Sequence, residues 1–267
     1  AQDNIGLGMN TGDGNIATVR GKNASFEATR LRISGLSQAD FDNCTVGAPN
    51  NGYIKLDNPS YTPTGHLRFV NGSVLRLGSF EFNALGEFQM VFDASMWDFG
   101  TGDFVLGDAC FKDACRPVAD KFSLKMEGVG LIVAPADGKK LTLDVPVIGE
   151  GGFVNRGPGT VAFASGRYGF TGKLVAEAGT IDLSAAGTIG KATIGAGAGV
   201  ISGGTFHNAT IALDSLGGAV PTFANCTFTG TTRVTVGGEP AQAEGVTVAN
   251  CTGTLTGVDT FRLRGWK

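Results

Sequence analysis

The chain has 267 residues, 43 of them glycine, with 17% charged and 42% apolar residues; it can bury a core, and it is neither collagen-like, lacking a three-residue glycine period, nor compositionally disordered. Its 24 acidic and 21 basic residues leave a formal charge of −3, which carries no electrostatic footprint for nucleic acid or an anionic membrane surface. No apolar run approaches the ~18 residues of a membrane helix, so neither nucleic acid nor membrane insertion is expected.

In chain order, the opening Ala1-Gln2-Asp3-Asn4 reads as a mature end left by signal-peptide removal, which implies a secreted, extracellular or cell-surface protein. A five-residue pattern follows at Phe41-Asp42-Asn43-Cys44-Thr45 and Phe69-Val70-Asn71-Gly72-Ser73, and returns at Phe206-His207-Asn208-Ala209-Thr210, Phe223-Ala224-Asn225-Cys226-Thr227 and Val248-Ala249-Asn250-Cys251-Thr252. It runs apolar, any, Asn, small, hydroxyl. Neighbouring asparagines lie 28 (Asn43 to Asn71), 17 (Asn208 to Asn225) and 25 (Asn225 to Asn250) residues apart, near the length of one solenoid coil.

The physical reading is a strand ending on an inward apolar residue, then a tight bend where the short amide of Asn tolerates a left-handed backbone, then a small residue turning back inside. Coils stacked at about 4.8 Å would let Asn43, Asn71, Asn208, Asn225 and Asn250 bond one another as a structural ladder. The same residues, with Asn23-Ala24-Ser25, also satisfy the N-x-[ST] glycosylation pattern.

Residues 50–65 read as a loop leaving the solenoid. The stretch 75–146 is less regular and rich in phenylalanine (Phe80, Phe82, Phe88, Phe92, Phe99, Phe104, Phe111, Phe122), consistent with either a wider coil or a sandwich-like insertion. Within it, aspartates recur every five residues at Asp93, Asp98, Asp103, Asp108 and Asp113. Odd spacing along a strand sends successive carboxylates to opposite faces, so solvated turn aspartates are expected in place of a calcium loop. Cys110 and Cys115, in DACFKDAC, are candidates for a small local disulfide. With five cysteines, that pairing leaves at least one of Cys44, Cys226 and Cys251 free or joined between chains; buried thiols serving as small core residues are the alternative.

From Gly151 to Leu183 short alternating strands are separated by glycine-rich turns. The ordered set Gly151, Gly152, Phe153; Gly157, Gly159, Thr160, Val161; Ser165, Gly166, Tyr168; Thr171, Gly172; Gly179, Thr180, Ile181, Leu183 resembles the autotransporter-associated β-strand repeat. The resemblance covers about an eighth of the chain and implies a β-helical segment of an exported bacterial surface protein; the Asn-Cys-Thr copies likewise look like coil motifs of β-helix adhesins. The family's C-terminal outer-membrane barrel has no counterpart in these residues, so the expectation is a released passenger or fragment, or a protein exported by another route. The run Gly195-Ala196-Gly197-Ala198-Gly199 lacks the Lys-Ser/Thr of a phosphate loop and reads as coil turns.

The expected fold is therefore all-β, a single elongated right-handed parallel β-helix over 1–267. The expected function is a non-catalytic structural or adhesive β-solenoid that uses no cofactor and whose partner is another copy of itself, stacked head to tail, or a surface glycan or protein. The alternative is a carbohydrate-active β-helix enzyme or glycan-binding module on the same scaffold. For that role the pairs Asp42 with Asp57 and Asp93 with Asp98 read as ordinary loop or strand residues, and two histidines, His66 and His207, supply a histidine triad poorly.

Overall fold

The computed structural model describes residues 4–7, 16–28, 30–33, 36–48, 53–58, 65–84, 87–111, 121–213, 219, 221–236 and 247–256. Over these residues the chain is a parallel β-solenoid, and the only helical element among them is a single 3-10 turn at Asp108–Cys110. Strands pair with the third strand before and after them in sequence, always in parallel, so each coil contributes one strand to each of three faces.

The first face begins at Ile16–Lys22 and runs through Leu36–Asp42, Gly65–Val70, Phe88–Asp93, Phe122–Met126 and Val147–Gly149 to Tyr168–Phe170; Thr188–Ile189, Thr205–His207, Thr227–Thr229 and Thr252–Gly253 then take the same place in later coils as a second sheet. The second face is an unbroken sheet of ten strands, from Ser25–Phe26 to Arg233–Val236. The third face starts at Asn4–Leu7 and runs through Arg30–Ile33 and Tyr53–Asn58 to Ser79–Ala84, so part of the stretch expected as a loop over 50–65 is a strand of the solenoid. The face is interrupted where Phe82 bridges Phe111 in isolation, and resumes from Phe104–Leu106 to Thr247–Ala249.

Side chains alternate across each strand, and the inward set forms columns down the axis. On the first face Ala39, Leu67, Met90, Leu124 and Val147 stand in register, beside Phe41, Phe69, Phe92 and Met126, all buried. On the third face the column is Leu141, Val161, Ile181, Ile201, Phe223 and Val248. β-Branched and aromatic residues dominate because parallel stacking places like side chains directly over one another, where flat or branched shapes pack without gaps. Phe41, Phe69 and Phe92 stack with centroids 5.2 and 5.4 Å apart.

In the described part of the phenylalanine-rich stretch the strands pair within the same three faces; residues 112–120 lie outside the described residues. Phe88 lies beside Phe122 and Ser95 beside Leu131, a longer step than the one from Phe153 to Leu174 in a regular coil. Rings cluster there, Phe122 lying 5.1 Å from Phe80, 5.7 Å from Phe82 and 6.0 Å from Phe111.

Residues 151–183 supply strands to consecutive coils, and the glycines there mark places where backbone meets backbone. A Cβ on Gly172 would collide with the carbonyl oxygen of Gly151 in the coil before, and one on Gly179 with the carbonyl oxygens of Gly157 and Gly159. Glycine over glycine at a corner is thus a packing requirement of this coil geometry.

Candidate functional site

Asn43, Asn71, Asn208, Asn225 and Asn250 all occupy the left-handed region, with φ of 52, 55, 49, 53 and 53°, as does Asn23 at 51°. Each sits on an exposed bend between two strands. They do not share one corner, which corrects the expectation of a single ladder. Asn23, Asn43, Asn71 and Asn208 turn the chain from the first face to the second, whereas Asn225 and Asn250 turn it from the third face to the first. The five-residue pattern encodes a bend angle, and any corner that needs that angle can use it.

Side-chain bonding between coils is correspondingly local. The Asn43 amide donates to Asn23 Oδ1 at 2.9 Å, but Asn71 donates to Asp42 Oδ1 at 2.8 Å, and Asn208 lies 2.9 Å from its neighbour His207 Nε2 while its Oδ1 accepts from Thr231 N at 3.0 Å. The amides of Asn225 and Asn250 make no side-chain hydrogen bond among the described residues. Ala94 takes the same bend at φ 49° with no amide at all, so the left-handed backbone and not the amide defines the corner.

The residue after each bend points inward and is small. Ala24, Cys44 and Ser73 form one column, in which Cys44 N donates to Ser73 Oγ at 3.0 Å and Ser73 Oγ donates to Val70 O at 2.7 Å. Ala209 and Thr232 form another, with Ala209 N donating to Thr232 Oγ1 at 3.3 Å. Gly204, Cys226 and Cys251 form a third, at the other corner. Cys226 is held protonated by its hydrogen bond with Cys251, and burial pushes in the same direction. Cys110 carries a free, buried thiol whose protonated form burial favours; Cys115, its expected partner, lies outside the described residues.

The recurrent aspartates are spread around one coil. Asp93 Oδ1 accepts from Val129 N at 3.1 Å, Asp98 Oδ1 from Gly100 N at 3.0 Å, and Asp103 Oδ1 from Lys140 N at 2.8 Å, each tying down a different bend. Asp108 opens the 3-10 turn and Asp113 lies outside the described residues. Among the described residues no three His, Cys, Asp or Glu side chains converge as metal ligands would.

Charge does gather on the outer side of the first face. His66 Nε2 lies 3.4 Å from Asp40 Oδ1, Arg68 donates to Glu127 Oε2 through Nε at 3.2 Å and a terminal nitrogen at 3.1 Å, and Lys125 Nζ lies 2.9 Å from Glu127 Oε1. The hydrogen bond from Lys125, reinforced by Arg68, holds the Glu127 carboxyl below its usual range against the opposing effect of partial burial. His207, at the variable position of its bend, is exposed and lies 2.9 Å from Thr229 Oγ1 through Nδ1.

A residue that the sequence reading passed over, Asn155, is wholly buried and satisfies the corner between the second and third faces. Its amide faces the carbonyl oxygens of Gly159, Ala178 and Thr180, each at 3.2 Å, and its Oδ1 accepts from Gly157 N at 3.2 Å. The bond to the residue two ahead is an Asx-turn, and Asn-x-Gly was the available signal. Outside the core, hydroxyl side chains line up in columns: Thr188, Thr205, Thr227 and Thr252 without a break on the first face, and Thr160, Thr180, Thr222 and Thr247 on the third, where Val200 takes the place between Thr180 and Thr222.

No helix among the described residues is long and apolar enough to cross a membrane. Comparison of the chain with protein-family models, with curated proteins and with solved structures returns no match.

Proposed function

We propose that this chain is a non-catalytic structural or adhesive β-solenoid of a secreted or cell-surface protein, of the kind in which autotransporter-associated repeats occur. The observation that carries the reading is a pair of outward columns at the coil spacing on two adjoining faces: an unbroken one of Thr188, Thr205, Thr227 and Thr252, and one in which Val200 stands between Thr160 and Thr180 on one side and Thr222 and Thr247 on the other. Such columns give a rod regular, flat sides that can pack laterally or hold a binding surface away from a cell. The glycine-on-glycine corners of residues 151–183 are in keeping with the repeat resemblance. A second copy stacked on an end strand would extend the same parallel ladders, and contact between unlike ends propagates as a filament.

Electron microscopy and sedimentation of the purified chain over a concentration series test this reading. The expected result is rods that lengthen or align side by side as concentration rises; monomers throughout would remove the assembly part of the proposal.

The charged patch of Asp40, His66, Arg68, Lys125 and Glu127 favours a second reading, a glycan-binding or carbohydrate-active surface on the first face. A polysaccharide panel distinguishes the two: release of reducing or unsaturated ends that is lost in Glu127→Gln would replace the structural role with an enzymatic one.

A further inference from the structure

Cys226 and Cys251 follow the last two asparagine bends, one coil apart. Register pairs Ala224 with Ala249 before them and Thr227 with Thr252 after them, which sets the two cysteines side by side in one column. Backbone hydrogen bonds clamp this register on both sides: Asn225 N donates to Ala249 O at 2.9 Å, and Thr252 N to Cys226 O at 3.0 Å. Neighbouring parallel strands lie about 4.8 Å apart, within the Cα separation of about 4.4–6.8 Å that a disulfide spans. Both side chains point into the corner and both are free thiols. The two sulfurs are equivalently placed, each near the carbonyl oxygen two residues before it and one in the preceding coil: Cys251 Sγ lies 3.6 Å from Ala249 O and 3.4 Å from Phe223 O, Cys226 Sγ 3.4 Å from Ala224 O and 3.5 Å from Ile201 O. Repeating one coil apart, the two sulfurs stand one above the other in the same corner, where rotation about the Cα–Cβ bonds changes their separation.

We infer that Cys226 and Cys251 are a disulfide site that staples two successive coils of the solenoid. The oxidant is a low-molecular-weight disulfide such as oxidised glutathione. One protein thiolate attacks it, forming a mixed disulfide and releasing one reduced thiol; the second protein thiolate then displaces the other, so that two protein thiols become one S–S bond and one oxidised glutathione becomes two reduced. Because both thiols are buried, the exchange runs as the coils close during folding or when the C-terminal coils open. Cys44 is the internal contrast: its column neighbours are Ala24 and Ser73, so it has no thiol beside it. The staple is independent of the proposed structural role, and its test does not use assembly or binding.

The test is refolding of the full chain in a glutathione redox buffer and, separately, oxidation of the folded chain, followed by blocking of free thiols, proteolysis and mass spectrometry without reductant. The expected product is a peptide pair joined through Cys226 and Cys251, two hydrogens lighter than the reduced pair. The oxidised protein should melt several degrees above the reduced one, a difference absent in Cys251→Ala. That variant changes a small buried side chain to the alanine that already follows the bend at Asn208, so it should keep the fold; Cys226→Ala provides a second check. Failure to form the linked pair in the refolding arm, or preferential linkage of either residue to Cys44 or Cys110, would overturn the inference.

Discussion

The amide of Asn43 donates to Asn23 Oδ1 across one coil at 2.9 Å, while Asn225, on a bend of nearly the same φ, has no such bond among the described residues. The two positions therefore separate what the left-handed backbone requires from what the side chain adds.

Replacing either asparagine with glycine keeps the backbone accessible and removes only the amide. Asn43→Gly should lower stability by about 0.5–1.5 kcal/mol, the net worth of a hydrogen bond, and Asn225→Gly by close to nothing. Alanine at either position adds the left-handed penalty of about 1–2 kcal/mol. Hydrogen exchange at the flanking strands, which reports local opening in a stacked-coil protein, measures the difference.

Gly166 and Gly179 both have positive φ, 71 and 59°, but a Cβ on Gly166 enters open space whereas one on Gly179 meets the carbonyl oxygens of Gly157 and Gly159. Gly166→Ala should cost about 1–2 kcal/mol from backbone strain alone. Gly179→Ala should cost distinctly more and lower the yield of folded protein, measured by thermal melting of the two variants side by side.

Asn155→Asp replaces both amide donors with acceptors facing three carbonyl oxygens. The charge makes it more damaging than Asn155→Ala, which leaves those carbonyls unpaired at about 1–3 kcal/mol. Urea unfolding of the pair should rank Asp below Ala, and the order should narrow at acid pH as the new carboxyl is protonated.

Phe69 is completely buried between Phe41 and Phe92. Phe69→Ala should cost about 3–5 kcal/mol by opening a cavity in the ring column, and Phe69→Leu less. Near-ultraviolet circular dichroism, which senses the stacked rings, should lose intensity with the alanine variant.

Glu127 has its pKa lowered from 4.5, chiefly by the hydrogen bond from Lys125. Its contribution to stability is present above the unfolded-state value and is lost as pH falls through the lowered folded-state value. Glu127→Gln should therefore flatten the acid limb of the stability curve; since the pair is partly solvated, added salt should shrink the effect.

Stacked coils and inward-alternating strands were legible in the linear sequence because the bend carries its own chemistry. An apolar residue, a left-handed Asn and a small hydrophobe or hydroxyl recur together at Asn43, Asn71, Asn208, Asn225 and Asn250, and each takes the backbone shape its side chain tolerates best. Which corner each bend serves was not legible, since the pattern specifies a local angle and not the number of strands between one bend and the next. The separation of Asn208 from Asn225 and Asn250, the ring cluster around Phe122, the burial of Asn155 beneath three carbonyls and the side-by-side placement of Cys226 and Cys251 all depend on interstrand register. Register is fixed by how whole coils pack on one another, and only the folded chain contains that information.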